Sequence, residues 1–353
     1  MSPISSLPMA LDLFCGCGGL TLGLKQAGFR VVWAVDDDSL AVETYRVNHP
    51  EVLVRETDIR ALRPEHVGTE LGLAVGELAL LAGCPPCEGF STLRTLNGSK
   101  RVTEEKNDLV LHFLRFARAF EPKAIMLENV PALADDWRFA VLVASLSGMG
   151  YRTEHRVLNA AEYGVPQRRR RLILLASKAG AIPFAVPETN RRTVRDAIAG
   201  MPAVGKSGDP LHDRRTRPRK ARVRNLIRAV PANGGSRGAL GKRRQLECHR
   251  EFDGFHDIYG RMAWDEVAPT ITSGCVNPSK GRFLHPIRHR AITLREAALL
   301  QTFPPSYFFS LRRGKYAAAD LIGNALPPEF VRRHALQIAS AQARPTQAPY
   351  RGD

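Results

Sequence analysis

The sequence predicts an α/β protein in which a mostly parallel sheet is joined to a smaller, irregular domain. Over the first 180 residues, short apolar runs alternate with amphipathic runs. Strands that alternate with helices form a parallel sheet with helices on both faces. From about residue 180, Pro, Gly and Arg become frequent and the periodicity is lost until close to the C-terminus. These observations separate a regular sheet domain from an irregular segment.

The elements of the sheet domain follow from the spacing of apolar residues. Buried strands are predicted at 9–14, 31–35, 77–83, 124–129 and 170–177, and helices at 20–29, 39–49 and 108–120. Gly28 lies where the first helix can end in a left-handed residue. Ligands of such sheets bind at the carboxyl ends of the strands.

The rest of the chain is predicted to form three further segments. Residues 181–288 form a domain of loops and short strands, and residues 289–343 form helices that return to the sheet domain of residues 1–180. Thr293 and Glu296 have the spacing of a capping box, and prolines begin the last helix at 327. Residues 344–353 are expected to be a disordered tail.

The composition indicates a globular protein of the reducing cell interior. Of 353 residues, 44% are hydrophobic and 24% charged. No apolar run is long enough for a membrane span, and no secretion signal is expected. Six cysteines do not make a disulfide scaffold, so a cytoplasmic location is predicted.

The charge is concentrated in one segment. The net charge is +16, and residues 191–250 contain 17 Lys and Arg against 4 Asp and Glu. Lys and Arg that neutralise phosphates release counterions, so a polyanionic partner is the natural hypothesis. A solvated basic surface is the alternative.

A Gly-rich turn follows the first predicted strand in the segment DLFCGCGGLTLG (12–23). Gly16, Gly18 and Gly19 allow the backbone to approach a ligand closely. Asp36, at the end of the second strand, is placed to accept hydrogen bonds from a ribose diol, and Asp58 from an adenine amino group. The alternative is a tight turn without a ligand.

The segment GCPPCEGFS (83–91) leaves three interpretations of its cysteines open. A redox pair usually opens a helix, and a zinc site needs a second pair of ligands. The third interpretation is a nucleophilic thiolate at the base of a cationic loop. Glu128, at the end of a buried strand, is a candidate proton donor, although a satisfied buried carboxyl is the alternative. Strand alternation directs Arg169 and Arg171 to one face and Arg168 and Arg170 to the other, unless the arginines only line an exposed edge.

Six segments resemble, in order, the motifs of the cytosine-C5 DNA methyltransferase family. They are DLFCGCGGLTLGLKQAGF, GCPPCEGFS, ENV (128–130), YGVPQRRRRL (163–172), RAITLREAALLQTFP (290–304) and GNALPP (323–328). The resemblance covers nearly the whole chain. It implies a Rossmann-like S-adenosylmethionine-dependent methyltransferase fold, with residues 1–180 catalytic and residues 181–288 a target-recognition domain.

The resemblance also implies a role for each site residue. It names Cys87 as the nucleophile that adds to cytosine C6, Glu128 as the residue that holds and protonates N3, and Arg169 as the contact to O2. The full expected sets are catalytic Cys87, Glu128, Asn129, Arg169 and Arg171; cofactor-binding Phe14, Gly16, Gly18, Asp36, Asp58, Pro85 and Asn324; and DNA-binding Arg168 and Thr270, with no metal.

The expected reaction is methyl transfer from S-adenosylmethionine to C5 of a flipped cytosine in a short site of double-stranded DNA. The loop 88–106 is the expected lid, and Glu88 replaces the Gln that the family usually has after its nucleophile. A monomer associated with the nucleoid, in a restriction–modification system or solitary, is expected. The alternatives are a tRNA methyltransferase and a DNA-binding protein without catalysis.

Overall fold

A computed structural model of the chain describes residues 7–86, 108–213, 219–241, 245 and 257–343. The chain divides into two compact units. The sheet unit comprises residues 1–159, 170–187 and 328–353, and the second unit comprises residues 160–169 and 188–327. The catalytic nucleophile that the sequence predicts, Cys87, and the predicted lid 88–106 lie outside the described residues, as does the predicted tail 344–353.

A seven-stranded sheet forms the centre of the sheet unit. Its order is β3-β2-β1-β4-β5-β7-β6, and β7 is antiparallel to both of its neighbours while the pairs among β1 to β5 are parallel. The strands are β1 (Met9–Leu13), β2 (Arg30–Asp36), β3 (Leu53–Glu56), β4 (Leu80–Gly83), β5 (Ala124–Asn129), β6 (Arg152–Asn159) and β7 (Arg170–Ser177). The predicted mostly parallel sheet is confirmed.

The central strands form because their residues are apolar on both sides. Every residue of β4 and β5 is buried, as expected for strands with helices on both faces. The covering helices are α1 (Gly19–Gln26), α2 (Ser39–Asn48), α3 (Pro64–Leu71), α4 (Leu109–Phe120), α5 (Trp137–Gly148) and, later in the chain, α11 (Pro328–Ala343). Gly28 follows α1 with φ of 90°, which confirms the predicted helix end.

The helices α1 and α11 pack closely within the sheet unit. A Cβ atom on Gly23 would lie 2.4 Å from Val331 Cβ and 2.5 Å from Pro328 O. These distances are too short for any real Cβ, so a glycine is needed where the two helices meet. The close approach places the N-terminal end of α11 against the helix that follows the Gly-rich turn.

The second unit is mainly short helices and loops in its described part. Its helices are α6 (Val194–Ile198), α7 (Pro210–Asp213), α8 (Ala221–Ala229), α9 (Leu294–Leu300) and α10 (Gly314–Asn324). Where the sequence predicts short strands, the described residues form helices and isolated bridges such as Arg261 with Leu284. The predicted capping box of Thr293 and Glu296 is present at the start of α9.

The units defined by packing differ from the predicted domain bounds. Helix α9 contacts α6, α7 and α10, so residues 289–327 belong to the second unit and α11 belongs to the sheet unit. The segment 160–169 also belongs to the second unit, because the backbone of Arg168 pairs with that of Ala268. The functional names given to the domains stay predictions. None of the helices in the described ranges is long and apolar enough to cross a membrane.

Candidate active site

The carboxyl ends of five parallel strands form one edge of the sheet. The Gly-rich turn follows β1, Asp36 ends β2, and residues 84–86 follow β4. Asp58 comes shortly after β3, and Glu128 and Asn129 end β5. This edge is where ligands of open α/β sheets bind, so the topology collects most of the predicted site residues of the sheet unit on one side.

The Gly-rich turn has a left-handed backbone at three alternate positions. The φ angles are 62° at Phe14, 52° at Gly16 and 93° at Gly18. Such angles are strained for Phe and unstrained for Gly. The Gly16 N–H donates to Asp36 Oδ2 at 2.8 Å, which ties the turn to the end of β2.

Asp36 is held in one orientation and retains capacity to accept hydrogen bonds. Its Oδ1 accepts from the Asp38 N–H at 3.0 Å and its Oδ2 from Gly16. Each carboxylate oxygen has a second lone pair, so a pair of ribose hydroxyls has acceptors here. Burial raises the pKa of Asp36 to about 6, and the two backbone N–H donors oppose that rise.

Asp58 follows β3 as the sequence predicts, but its carboxylate already has a partner. It caps the short turn 59–61 through the Arg60 N–H at 2.8 Å, and the Arg60 guanidinium donates to both of its oxygens. The hydrogen bonds from Arg60 lower the pKa of Asp58, so it is ionised at neutral pH. A ligand amino group at Asp58 would share the carboxylate with Arg60.

Asp12 is a buried carboxyl that is not among the site residues predicted from the sequence. Its Oδ2 accepts from Thr21 Oγ1 at 2.6 Å, and this hydroxyl also lies 2.7 Å from the Tyr45 hydroxyl. Its Oδ1 has no hydrogen-bond partner among the described residues. Burial raises the pKa of Asp12 to about 7. In the sequence, the indication of a buried carboxyl is the acidic residue within the otherwise apolar run MALDLF.

The cysteines of the Gly-rich turn are inert thiols. Burial raises the pKa of Cys15 well above its usual value and that of Cys17 to about 12. A metal ion binds the thiolate rather than the thiol, so these two residues are poor ligands. Among the described residues, no three His, Cys, Asp or Glu side chains are grouped as a metal site would require.

Glu128 and Arg171 form an ion pair at the end of β5. The Arg171 Nε lies 2.8 Å from Glu128 Oε1, and only 10% of the Glu128 side chain is exposed. The pair is a diagonal neighbour across the sheet, because Glu128 is in register with Ile173 of antiparallel β7. A carboxylate and a guanidinium are thus held side by side at the strand-end edge.

Asn129 connects the end of β5 to the segment that precedes Cys87. Its Nδ2 donates to Pro85 O at 2.9 Å, and its Oδ1 accepts from the Val130 N–H at 2.8 Å. Both ends of the buried amide are therefore satisfied. The hydrogen bond fixes the backbone two residues before the predicted nucleophile.

In the second unit, Gln167 and Arg169 bond to backbone groups. Gln167 is fully buried, accepts from the Ile271 N–H at 2.8 Å and donates to Gln301 Oε1 at 2.8 Å. Arg169 Nη1 donates to Ile271 O at 3.2 Å and Gly323 O at 3.1 Å. The exposure of the four arginines alternates as predicted. Arg169 is buried and Arg171 half-buried, whereas Arg168 and Arg170 are exposed.

The remaining predicted residues of the second unit lie at its surface. Thr270 is half-buried and its hydroxyl donates to Arg168 O at 2.7 Å, which joins the two predicted DNA contacts. Asn324, predicted to bind the cofactor, ends α10 with its side chain exposed.

The sheet order and the strand-end site define the class of protein. A parallel sheet with one antiparallel strand and a Gly-rich turn after β1 is the fold of S-adenosylmethionine-dependent methyltransferases. More narrowly, the family model described as C-5 cytosine-specific DNA methylase matches residues 9–340. The chain belongs to the C-5 cytosine-specific DNA methylase family and is a DNA cytosine-C5 methyltransferase.

Curated relatives agree with this assignment, and a solved structure agrees with the fold. The chain is 39% identical to the type II methylase M.HgiDII of Herpetosiphon aurantiacus, over 90% of this chain and 91% of the relative. It is 33% identical to the type II methyltransferase M1.BsuMI of Bacillus subtilis, over 90% and 77% respectively. The fold is similar to that of a putative DNA modification methyltransferase encoded in an Escherichia coli prophage, with a TM-score of 0.70, 24% identity and coverage of 96% and 100%.

The strand-end residues of the sheet unit fit S-adenosylmethionine. Among the described residues, no heavy atom comes within 4 Å of where a Gly16 Cβ would lie, so the backbone is open to a ligand. Asp36 offers oriented acceptors for hydroxyl groups, and Asp12 Oδ1 is a buried acceptor without a protein donor in the described part of the chain. The acceptor atoms of Asp36 therefore match the diol of a sugar.

Proposed function

We propose that this enzyme methylates C5 of cytosine within a short duplex DNA site, through a transient bond between Cys87 and C6. The observation that carries the proposal is the Glu128–Arg171 ion pair, placed one residue from the Asn129–Pro85 hydrogen bond. A carboxylate and a guanidinium match the N3, N4 and O2 edge of cytosine. The hydrogen bond orients the chain that leads to Cys87.

The sheet unit would hold the methyl donor at its strand-end edge. When bound, S-adenosylmethionine supplies an electrophilic methyl group on a sulfonium. Asp36 would accept hydrogen bonds from the ribose, and Asp58 would accept from the adenine amino group while it keeps its bonds from Arg60. The proposed cofactor contacts also include four residues whose backbone would approach the ligand, Phe14, Gly16, Gly18 and Pro85. Asn324, the last residue of α10, is the proposed contact from the second unit.

The chemistry requires a nucleophile because cytosine C5 is itself a weak one. Addition of the Cys87 sulfur to C6 would make C5 enamine-like and able to take the methyl group that the donor would supply. A base from solvent would then remove the C5 proton, and the electron pair of that C–H bond would expel the Cys87 thiolate and restore the aromatic ring. Glu128 holds N3 and the exocyclic amine, so that negative charge does not build up on the ring during addition.

The contact to cytosine O2 is better assigned to Arg171 than to Arg169, which the sequence favours. The Arg171 guanidinium already lies beside Glu128, whereas the Arg169 guanidinium donates to the carbonyls of Ile271 and Gly323. Arg169 then acts as a positioning residue that braces the segment 160–169 in the second unit. The proposed DNA contacts remain Arg168, in that segment, and Thr270, elsewhere in the second unit.

The target cytosine must leave the duplex for its C5 and C6 atoms to be reached, and base flipping is the general solution for such enzymes. The basic segment 191–250 supplies the cations for the phosphates of double-stranded DNA. A role in type II restriction–modification is proposed from the names of the relatives. The tRNA alternative is not favoured, because the matching family model describes a DNA methylase.

Transfer of a labelled methyl group tests the reaction and the nucleophile together. We expect label in duplex DNA with the wild-type chain and none with Cys87→Ala. Cys84→Ala is the matched control, because it removes the neighbouring thiol, and we expect it to retain transfer. Label in tRNA but not in duplex DNA would reject the substrate, and transfer by Cys87→Ala would reject the covalent step.

A duplex with 5-fluorocytosine at the target position tests the intermediate directly. Fluorine cannot leave C5 as a proton does, so the adduct should persist. Mass spectrometry is expected to find the oligonucleotide attached to the peptide that contains Cys87. Absence of that attachment under conditions where unmodified DNA is methylated would exclude the proposed bond.

A further inference from the structure

Helix α8 of the second unit presents one polar face and one apolar face. Arg224, Asn225 and Arg228 are exposed and lie on the same side of the helix by their spacing. Leu226 and Ile227 are buried on the other side, in a cluster with Val230, Leu240, Tyr259 and Leu284. A separate small core therefore holds this nine-residue helix with its arginines turned to solvent.

A buried arginine fixes the C-terminal end of α8. Arg261 is 1% exposed, and its guanidinium donates to Ile227 O at 2.6 Å and Val230 O at 3.0 Å. The same group donates to His285 O and Arg288 O, so it joins the helix end to the loop 285–288. Burial lowers the pKa of Arg261. The position of α8 is thus held by the hydrogen bonds from this buried guanidinium.

The charge of α8 is unlike that of a merely solvated helix. Residues 221–229 contain three arginines and no Asp or Glu, and residues 214–220, directly before the helix, contain five more Lys and Arg and no acid. In α11, by contrast, Arg332 and Arg333 both pair with Glu329. Solvent-exposed helices usually alternate charges of opposite sign, because i,i+4 pairs stabilise them. Within α8 no acidic side chain offsets the three arginines, and the printed bond of the Arg224 guanidinium is to the neutral carbonyl of Arg219.

We propose that the face of α8 formed by Arg224, Asn225 and Arg228 contacts the DNA duplex. The proposal rests on the function proposed above, because it takes duplex DNA as the substrate. An arginine guanidinium pairs with phosphate oxygens or with guanine O6 and N7, and an asparagine amide pairs with adenine N6 and N7. The face therefore offers both the cations that bind the backbone and an amide that reads bases in the major groove.

Binding of a fluorescent duplex that carries the methylation site tests the face. The variant Arg224→Gln/Arg228→Gln keeps exposed side chains of similar length, and we expect it to bind at least about tenfold more weakly. The plot of log K against log salt is expected to lose about two units of slope, one for each phosphate contact. Arg46→Gln is the matched control, since it removes an exposed helical arginine of the sheet unit, and wild-type binding is expected.

Bisulfite sequencing of DNA methylated by each variant, with Asn225→Ala included, separates the two kinds of contact. Relaxed sequence preference supports base contact, and weaker binding with an unchanged site and lower salt slope supports phosphate contact. Variants with the affinity, salt slope and methylated site of Arg46→Gln would overturn the proposal. A wild-type chain that neither binds nor methylates duplex DNA would instead reject the proposed function itself.

Discussion

Arg169 and Arg171 lie two positions apart and have different partners. Both are covered by protein, as strand alternation predicts, but β7 begins at Arg170. Arg171 therefore extends from a strand toward Glu128, whereas Arg169 precedes the strand and bonds to carbonyls of the second unit. The period of a strand predicts the side of each residue, but the partner depends on the register between β5 and β7, which no local pattern encodes.

The Asp12 carboxyl gives the stability of the chain a pH dependence. Its pKa in the folded chain is about 7 against an ordinary value of 3.8. The folded state therefore retains a proton that the unfolded state releases, and stability falls as pH rises from about 4 to about 7. A shift of about three pKa units corresponds to about 4 kcal/mol.

Asp12→Asn removes this titration, so we expect the variant to be more stable than the wild type at pH 8. The difference should shrink as pH falls toward 4, because Asp12 is then neutral as well. Urea denaturation of the full chain between pH 4 and pH 8 measures both effects. Asp37→Asn, an exposed neighbour, controls for the change in net charge. Parallel pH profiles for Asp12→Asn and wild type would contradict the assignment.

At the scale of the element, the pairing of α1 with α11 depends on the absence of a side chain at Gly23. Gly23→Ala gains helix propensity, but its Cβ would collide with Val331 Cβ and with Pro328 O. Overpacking of this kind costs about 1–3 kcal/mol, so we expect a net loss of stability in thermal or urea unfolding.

Gly148→Ala provides the matched control for Gly23→Ala. Gly148 is the last residue of α5, is exposed, and has no heavy atom within 4 Å of the new Cβ among the described residues. The substitution is expected to leave stability unchanged or raise it by about 0.5 kcal/mol. Equal effects of the two substitutions would show that contact with α11 does not limit the residue at position 23.

The sequence predicts those elements in which the pattern of buried and exposed residues is the same from one end to the other. Continuous apolar runs mark β4 and β5, which are buried on both faces. The strand β6 is not predicted, because it is an edge strand beside β7 and most of its residues are exposed. Helix α8 is also missed, because its first five residues, ARVRN, contain two arginines and one large apolar residue, Val223, so that no helical period is evident before Leu226.

In the candidate site too, some features are predicted from the sequence and others are not. Gly16, Asp36, Glu128 and Asn129 are predicted because each follows or ends a buried strand, and strand ends share one edge of a parallel sheet. The partners are not predicted, since the bonds from Asn129 to Pro85 and from Gly16 to Asp36 join segments distant in sequence. Asp12 is not predicted, because one polar residue within an apolar run does not change the pattern that predicts a buried strand.

At the scale of the whole molecule, most of the positive charge and the strand-end carboxylates belong to different parts of the chain. Most of the net charge of +16 comes from residues 191–250, whereas the strand-end carboxylates belong to the sheet unit. Binding of DNA releases counterions from many phosphates, and binding of a small cation at buried carboxylates does not. Ionic strength should therefore act on the two ligands very differently.

We expect an increase of salt from 50 to 200 mM to weaken binding of a duplex by about a thousandfold, as for about six neutralised phosphates. Binding of S-adenosylmethionine to the same protein should change by less than about twofold, because the proposed contact, Asp36, is half-buried and is screened less than an exposed charge. Fluorescence anisotropy measures the first affinity and isothermal titration calorimetry, without DNA, the second. A DNA affinity that is flat in salt would mean that the basic segment is a solvated surface. A cofactor affinity that falls steeply with salt would mean that exposed charges, rather than the strand-end carboxylates, hold the methyl donor.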